Sequence, residues 1–294
     1  MKIGIYGQFY HEAAAQYVQE LFDILDSQQV EVVVEKQFLD SINEHKDIPR
    51  QYGHFSTFNE LDKSYNLFIS IGGDGTMLKT VTYVRDLGIP ILGINTGRLG
   101  FLATIKKENL KTSLKAVLEG KYKISERSLL QVTLDNDEPL FNDINFALNE
   151  IAVSRKNTTS MISVSTQLNS EQLTHYWADG LIVASPTGST GYSLSCGGPV
   201  ISPDTSSFVL TPIAPHNLNA RPLVIPDSTK VSLRVAGREE QHLISLDSRI
   251  ATLDNDTNIH ITRAPFTIKI VLLEDDSFLQ TIREKLLWGE DKRN

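Results

Sequence analysis

Leu67-Phe68-Ile69-Ser70-Ile71-Gly72-Gly73-Asp74-Gly75-Thr76 is an apolar, β-type run that breaks into a glycine-rich turn, with a helical pattern beginning at Met77. A glycine turn between a strand and a helix lets backbone N–H groups approach an anion closely. The helix N-terminus adds partial positive charge at the same place. Phosphate is therefore the expected ligand. Asp74 is unusual there, because an acid in the turn repels bare phosphate. It is expected to hold a cation or to take a proton from an attacking hydroxyl, which points to phosphoryl transfer.

Outward from this turn, the first part of the chain alternates strand and helix patterns. Residues 2–6 read as a strand and Gly7 as a turn. Ala13, Ala14, Tyr17, Val18, Leu21, Phe22 and Leu25 then recur at helical spacing. Residues 30–34 are β-branched and read as a second strand. From about Asp40 to Ser64 the chain is polar and aperiodic, with Pro49 and Gly53 as breakers, and is expected to be a long loop. A helix over about 76–86, a strand over 89–94 and a helix over about 107–118, ended by Gly120, complete an α/β domain. Strands separated by helices imply a mostly parallel sheet covered on both faces.

From about Tyr122 the texture changes. Residues 129–134 alternate and meet the turn cluster Asp135-Asn136-Asp137-Glu138-Pro139. Short β-type runs follow, punctuated by Ser, Thr, Asn, Gly and Pro, as in an all-β domain. Phe278, Ile282, Leu286 and Leu287 then form one amphipathic helix, expected to return to the first domain. The predicted division is an α/β domain over 1–120 plus 275–294, and a β-rich domain over 121–274.

Composition narrows the function. Among 294 residues the apolar share is 40% and the charged share 22%, as in globular proteins, and the net charge is −8. No Lys/Arg block stands out, so neither nucleic acid nor an anionic membrane surface is an expected partner. The single cysteine, Cys196, forms no internal disulfide and fits a reducing compartment. The first residues lack the apolar run of a signal peptide, and no stretch is long enough to span a bilayer. A cytoplasmic location is expected.

Three further clusters bear on the site. Gly93-Ile94-Asn95-Thr96-Gly97-Arg98-Leu99-Gly100-Phe101 follows a strand, where ligands of open α/β folds collect. Asn149-Glu150 can divide hydrogen bonds between ribose hydroxyls and a base edge. The strand beginning Asp179-Gly180 leads into Thr187-Gly188-Ser189-Thr190-Gly191-Tyr192-Ser193-Leu194-Ser195, closed by Gly197-Gly198-Pro199. That loop carries no Lys or Arg, so it suits base and sugar better than phosphate. Each cluster also has a plainer reading. The glycine turn could be an ordinary βα loop, the Asn-Glu pair a solvated strand end, and the hydroxyl-rich loop a simple connection. Lys79 fits a surface lysine as well as a phosphate contact. His216 reads as a packed turn histidine and Cys196 as a small buried residue. The P-loop, the Gly-x-Gly-x-x-Gly dinucleotide fingerprint, protein-kinase signatures and zinc-ligand spacing are all missing.

Taken in order, Gly72-Gly73-Asp74-Gly75, the Asn95 to Phe101 segment, Asn149-Glu150 and the Asp179 to Tyr192 segment resemble the NAD kinase family. The resemblance runs from about residue 66 to about residue 250. It implies transfer of the γ-phosphoryl of ATP, or of polyphosphate, to the 2′-hydroxyl of the adenosine ribose of NAD. It also implies a divalent cation such as Mg²⁺ and a homodimer or homotetramer. By position, Asp74 is expected as the general base, and Gly72, Gly73 and Gly75 as the open phosphate turn. Asn149 and Glu150 are expected on the NAD ribose. Asp179, Thr190, Gly191, Tyr192, Ser193, Leu194 and Ser195 are expected around NAD, with Lys79 as a further nucleotide contact. Gly191 stands where the family usually has Ala, Trp177 where a basic or small residue is frequent, and Arg249 where Gln is frequent. Other kinases with the glycine turn, acting on sugars or lipids, and a non-catalytic NAD(P) sensor are the alternatives.

Overall fold

The computed structural model describes residues 1–8, 12–44, 51–97, 100–135, 140–142, 144–157 and 160–288. The chain divides into two compact units, Met1–Glu126 with Ile268–Asn294, and Arg127–Thr267. These boundaries fall a few residues from the predicted 120/121 and 274/275, because both crossings occur inside strands rather than in loops.

The first unit is built on β1 (Lys2–Gly7), α1 (Glu12–Ser27), β2 (Glu31–Glu35), α2 (Lys36–Glu44), β3 (Gly53–Phe55), β4 (Leu67–Ile71), α3 (Asp74–Val84), β5 (Ile91–Asn95), β6 (Ile105–Lys106) and α4 (Leu110–Leu118). The strands run parallel in the order β5-β4-β1-β2-β3, with β6 beside β5. β4 and β5 are buried along their whole length, as expected of a parallel sheet covered on both faces. Val18, Leu21, Phe22 and Leu25 turn one stripe of α1 into the core that Ile3, Ile5, Val32, Val34, Leu67 and Ile69 build from the sheet. The chain moves outward from β1 to β3 on one side and from β4 to β5 on the other. The order therefore reverses between β1 and β4, and ligands of open α/β sheets bind at the strand ends beside such a reversal. The glycine turn leaves the end of β4 there.

The segment expected to be a long loop is shorter than read. Within it, Ile42 is buried on α2 and Phe55 on β3, so packing orders residues that polarity alone marks as loop. Pro49 lies outside the described residues.

The second unit contains β7 (Lys123–Leu134), β8 (Phe146–Ala147), β9 (Glu150–Arg155), β10 (Ile162–Leu168), β11 (Glu171–Ala178), β12 (Gly180–Ala184), the one-turn helix α5 (Tyr192–Ser195), β13 (Ser207–Ile213), β14 (Leu223–Pro226), β15 (Val231–Gly237), β16 (Gln241–Leu246), β17 (Arg249–Asp254) and β18 (Asn258–Leu272). The first residues of β7 and the last of β18 belong to the first unit. One antiparallel sheet runs β14-β13-β12-β9-β16-β17, and β11-β10-β15-β18 are paired antiparallel as well. Alternating side chains such as Val164, Val231, Leu233, Ile244, Leu246 and Phe208 meet in a shared core. Most of the expected turn after residue 134 (136–139) lies outside the described residues.

α6 (Phe278–Leu286) belongs to the first unit, as the lone amphipathic stripe predicts. Ile282 is its buried anchor, Lys106 pairs with Glu284 at 2.8 Å, and Thr104 donates to Asp276 at 3.2 Å. The fold class read from sequence, an α/β domain followed by a β-rich one with a returning helix, holds.

Candidate active site

In the first unit, Gly73 caps α3 and Asp74 occupies its first helical position, where a carboxylate is favoured by the helix dipole. Cβ atoms added at Gly73 and Gly75 would meet open space, so this face of the turn is bare backbone. The Asp74 carboxylate reaches across to the segment after β5. It accepts backbone N–H bonds from Phe101 (2.8 Å), Leu102 (3.0 Å) and Ala103 (3.2 Å). A carboxylate offers about four acceptor positions, so about one is left for another proton or ion. Gly100 makes this reach possible, since a Cβ there would stand 2.5 Å from Asp74 Cγ. The two glycine segments noted in the sequence are thereby one structure, joined by Asp74. Asn95 is buried and accepts from the Gly97 N–H at 2.7 Å, while Arg98 and Leu99 lie outside the described residues. Lys79 stands on the exposed face of α3.

In the second unit, Asn149 and Glu150 open β9 and are held by Asp247, in the turn between β16 and β17. Asp247 accepts N–H bonds from Leu148 (3.0 Å), Asn149 (2.8 Å) and Glu150 (3.3 Å). From the other side, Ser185 N–H donates to the Asn149 carbonyl at 2.9 Å, and Ser185 Oγ donates to the Leu148 carbonyl at 2.5 Å. Gly188 packs directly on that peptide, 2.7 Å from Asn149 Cα to where its Cβ would be. Glu150 Oε2 is buried without a hydrogen-bond partner. Burial, and then the neighbouring Asp247 charge, push the Glu150 carboxyl up to about 8. Gly191 sits against this pair, its missing Cβ lying 3.1 Å from Glu150 Oε2 and 3.6 Å from Asn149 Nδ2. Where the family commonly has Ala, the glycine leaves that space open.

The hydroxyls of the loop are less available than their number suggests. Ser189 Oγ donates to the Pro186 carbonyl and accepts from Ile201 N–H, Thr190 Oγ1 donates to the Thr187 carbonyl, and Ser193 Oγ is paired with Thr211 Oγ1 at 2.8 Å. These groups shape the loop. Tyr192 and Ser195 face solvent and Leu194 is half-buried.

Asp179 sits between β11 and β12 on the wall of a cavity of about 830 Å³, with Arg155, Trp177, His216 and Arg238. Arg155 pairs with it at 2.9 Å. Trp177 is largely exposed, and its backbone N–H donates to the Asn217 side-chain carbonyl at 2.7 Å. His216 is part of that wall, its backbone N–H bonded to the Trp177 carbonyl. Arg249, noted in sequence as a departure from the family, turns inward. Its guanidinium donates to the carbonyls of Ile144 (2.6 Å) and Phe146 and lies 3.8 Å from Asp247.

Sequence reasoning missed Asp247, Arg155 and Arg238. Asp247 carried one signal, an acid in a turn between two β-type runs, but its partners lie about a hundred positions away. Among the described residues no three His, Cys, Asp or Glu side chains gather as a metal cage. Among the described residues, no helix is long and apolar enough to cross a membrane.

Comparison with known proteins assigns the two halves separately and consistently. The family model for the ATP-NAD kinase N-terminal domain matches residues 3–122, and that for the ATP-NAD kinase C-terminal domain matches residues 148–273. The chain is 62% identical to the NAD kinase of Christiangramia forsetii over 296 aligned positions, covering all of both chains, and 41% identical to that of Bacteroides fragilis, again over the full length of both. Among solved structures, an NAD kinase from Archaeoglobus fulgidus in complex with ATP matches with a TM-score of 0.72 at 26% identity, covering 97% of each chain. Yeast NADH kinase complexed with NADH shares the fold at a TM-score of 0.85 and 24% identity, covering 99% of this chain and 88% of that one. Matched in both domains and along its full length, the chain belongs to the NAD kinase family.

Proposed function

We propose that the chain transfers the γ-phosphoryl of ATP to the 2′-hydroxyl of the adenosine ribose of NAD, giving NADP and ADP. Asp74 carries this reading. It is an acid fixed by three N–H bonds at a helix N-terminus, beside glycines whose backbone faces open space. A module that only bound phosphate would gain nothing from a negative charge there. In the reaction the ribose oxygen forms a bond to Pγ while the Pγ–O bond to ADP breaks, and the hydroxyl proton passes to Asp74. In a loose transition state that proton moves late, so positioning contributes more than basicity. Gly72, Gly73 and Gly75 would line the phosphates. A divalent cation such as Mg²⁺ would neutralise phosphate charge, held largely by the nucleotide, with Asp74 as the nearby acid.

Asn149 and Glu150 suit the ribose and base of NAD. Asp179 and the Trp177 cavity, together with Thr190, Gly191, Tyr192, Ser193, Leu194 and Ser195, suit the rest of the dinucleotide. Of these, Ser193 would serve through its backbone, because its hydroxyl is committed to Thr211. Lys79, exposed on α3, would meet nucleotide only by reaching forward along the helix. A homodimer or homotetramer is supported by apolar side chains exposed on both edge strands of the six-stranded sheet, Leu223 and Val224 on β14 and Ile250 on β17. We place the enzyme in the cytoplasm, where Cys196 would stay reduced.

The test is incubation of the purified protein with ATP or polyphosphate, Mg²⁺ and either NAD or NADH. NADP or NADPH should form, and no product with any donor and several divalent metals would refute the reading. Asp74→Asn should bind NAD nearly normally and lose most turnover.

A further inference from the structure

The Asp247 side chain is only 4% exposed, and the Arg249 guanidinium approaches it no nearer than 3.8 Å. Its backbone adopts a left-handed conformation, φ 52°, that few non-glycine residues take. One of its oxygens accepts from both Asn149 and Glu150, and the other from Leu148. Three consecutive N–H groups thus converge on one carboxylate, with the Glu150 side chain alongside. We infer that Asp247 is a positioning residue of the dinucleotide site, fixing the Asn149-Glu150 pair through three backbone N–H bonds and placing a second carboxylate beside the Glu150 side chain. The inference rests on the proposed NAD site for its functional meaning.

Two neighbouring carboxylates in a buried setting do not both ionise readily. Asp247 has three N–H donors and the nearby guanidinium of Arg249 to hold its charge. Burial pushes both carboxyls up, but Glu150 has only the Tyr192 backbone N–H to oppose this, and its Oε2 has no hydrogen-bond partner, so Glu150 is the member that keeps the proton. The other titratable groups beside Glu150 are Tyr192 and Cys196, from the loop after β12. Burial raises both, so they stay neutral near pH 7. A protonated Glu150 can donate a hydrogen bond to a ribose oxygen and places no negative charge against a pyrophosphate. Asp247 thereby acts on the ligand through Glu150, without touching it.

The experiment is carboxyl carbon-13 NMR titration of the full chain, with the Glu150 signal assigned by its loss in Glu150→Gln, alongside calorimetric NAD affinity from pH 6 to 9. In the unsubstituted protein Glu150 should titrate near 8. NAD affinity should weaken through the same range and become flat in Glu150→Gln. Asp247→Asn should move the midpoint down by about one pH unit or more, as removal of a close like charge requires. Arg249→Met, which leaves Asp247 less neutralised, should move it up and covers the case of an Asp247→Asn protein that does not fold. A Glu150 midpoint unchanged in the folded variants, whatever their affinity, would overturn the inference. Failure of the unsubstituted protein to bind NAD would instead overturn the proposed function, leaving the NMR midpoints to decide the role of Asp247.

Discussion

Replacing Gly100 by Ala tests the junction between the two glycine segments. The new Cβ would stand 2.5 Å from Asp74 Cγ and 2.8 Å from Oδ2. Non-bonded carbons rest about 3.5–4 Å apart, so the carboxylate or its loop must withdraw by about 1 Å. Bonds that now measure 2.8 to 3.2 Å would then stretch beyond useful range. A hydrogen bond to a charged group contributes about 1.5–3 kcal/mol, so losing two of the three, with water restoring part, should cost about 3 kcal/mol. Displacement of the proposed base by that distance should lower turnover about 100-fold or more. The assay is urea unfolding together with NADP formation at saturating ATP and NAD. Gly97→Ala is the control in the same loop, because its Cβ would meet nothing nearer than Asn95 Oδ1 at 3.9 Å. If Gly100→Ala matches this control in both stability and turnover, the Asp74 junction does not matter and the reasoning is wrong.

Glu150 has a folded carboxyl raised from 4.5 to about 8, so its contribution to stability is full below pH 4.5 and is lost as pH rises through 8. At about 1.4 kcal/mol for each tenfold change in proton affinity, this amounts to a few kcal/mol. Glu150→Gln should therefore be the more stable protein at pH 8.5, with the difference shrinking toward pH 5. Parallel thermal-unfolding curves for the two across that range would contradict this. Phe22→Ala empties a fully buried site in the first unit, where the ring stacks on Tyr52 at 5.0 Å, and should cost about 3–5 kcal/mol in urea unfolding. Gly188→Ala would force a Cβ to within 2.7 Å of Asn149 Cα, so calorimetry should show NAD affinity reduced about tenfold while the first unit unfolds as before.

The legibility of the fold follows the range of the interactions that make it. The parallel sheet was readable because β4 and β5 are continuous apolar runs between helical periods, a signal confined to each segment. α2 was not, because nine residues carry only Phe38, Leu39 and Ile42 as an apolar face, and their burial comes from packing on the sheet. In the site, the glycines and acids proposed to meet ligand stand in short motifs. Asp74 was visible in this way, but its three N–H partners 27 to 29 positions later were not. Asp247 is the extreme case. Its role depends on the pairing of β16 with β9, which brings it to N–H groups 97 to 99 residues distant, and no local pattern encodes which strand end an acid will meet. The hydroxyl-rich loop shows the opposite effect, since composition there suggested ligand donors and the structure spends Ser189, Thr190 and Ser193 on the loop itself.

The Asp74 junction also gives the proposed reaction a sense of direction. Before transfer the carboxylate is charged, and its bonds to the N–H groups of Phe101, Leu102 and Ala103 are of the strong, charge-assisted kind. Once it takes the ribose proton it becomes a neutral acid, and such bonds are about half as strong. The segment after β5 would thus be gripped while substrate waits and relaxed when product has formed. Loss of the proton to water would restore the grip, so one acid would both promote the transfer and mark its completion to the surrounding backbone.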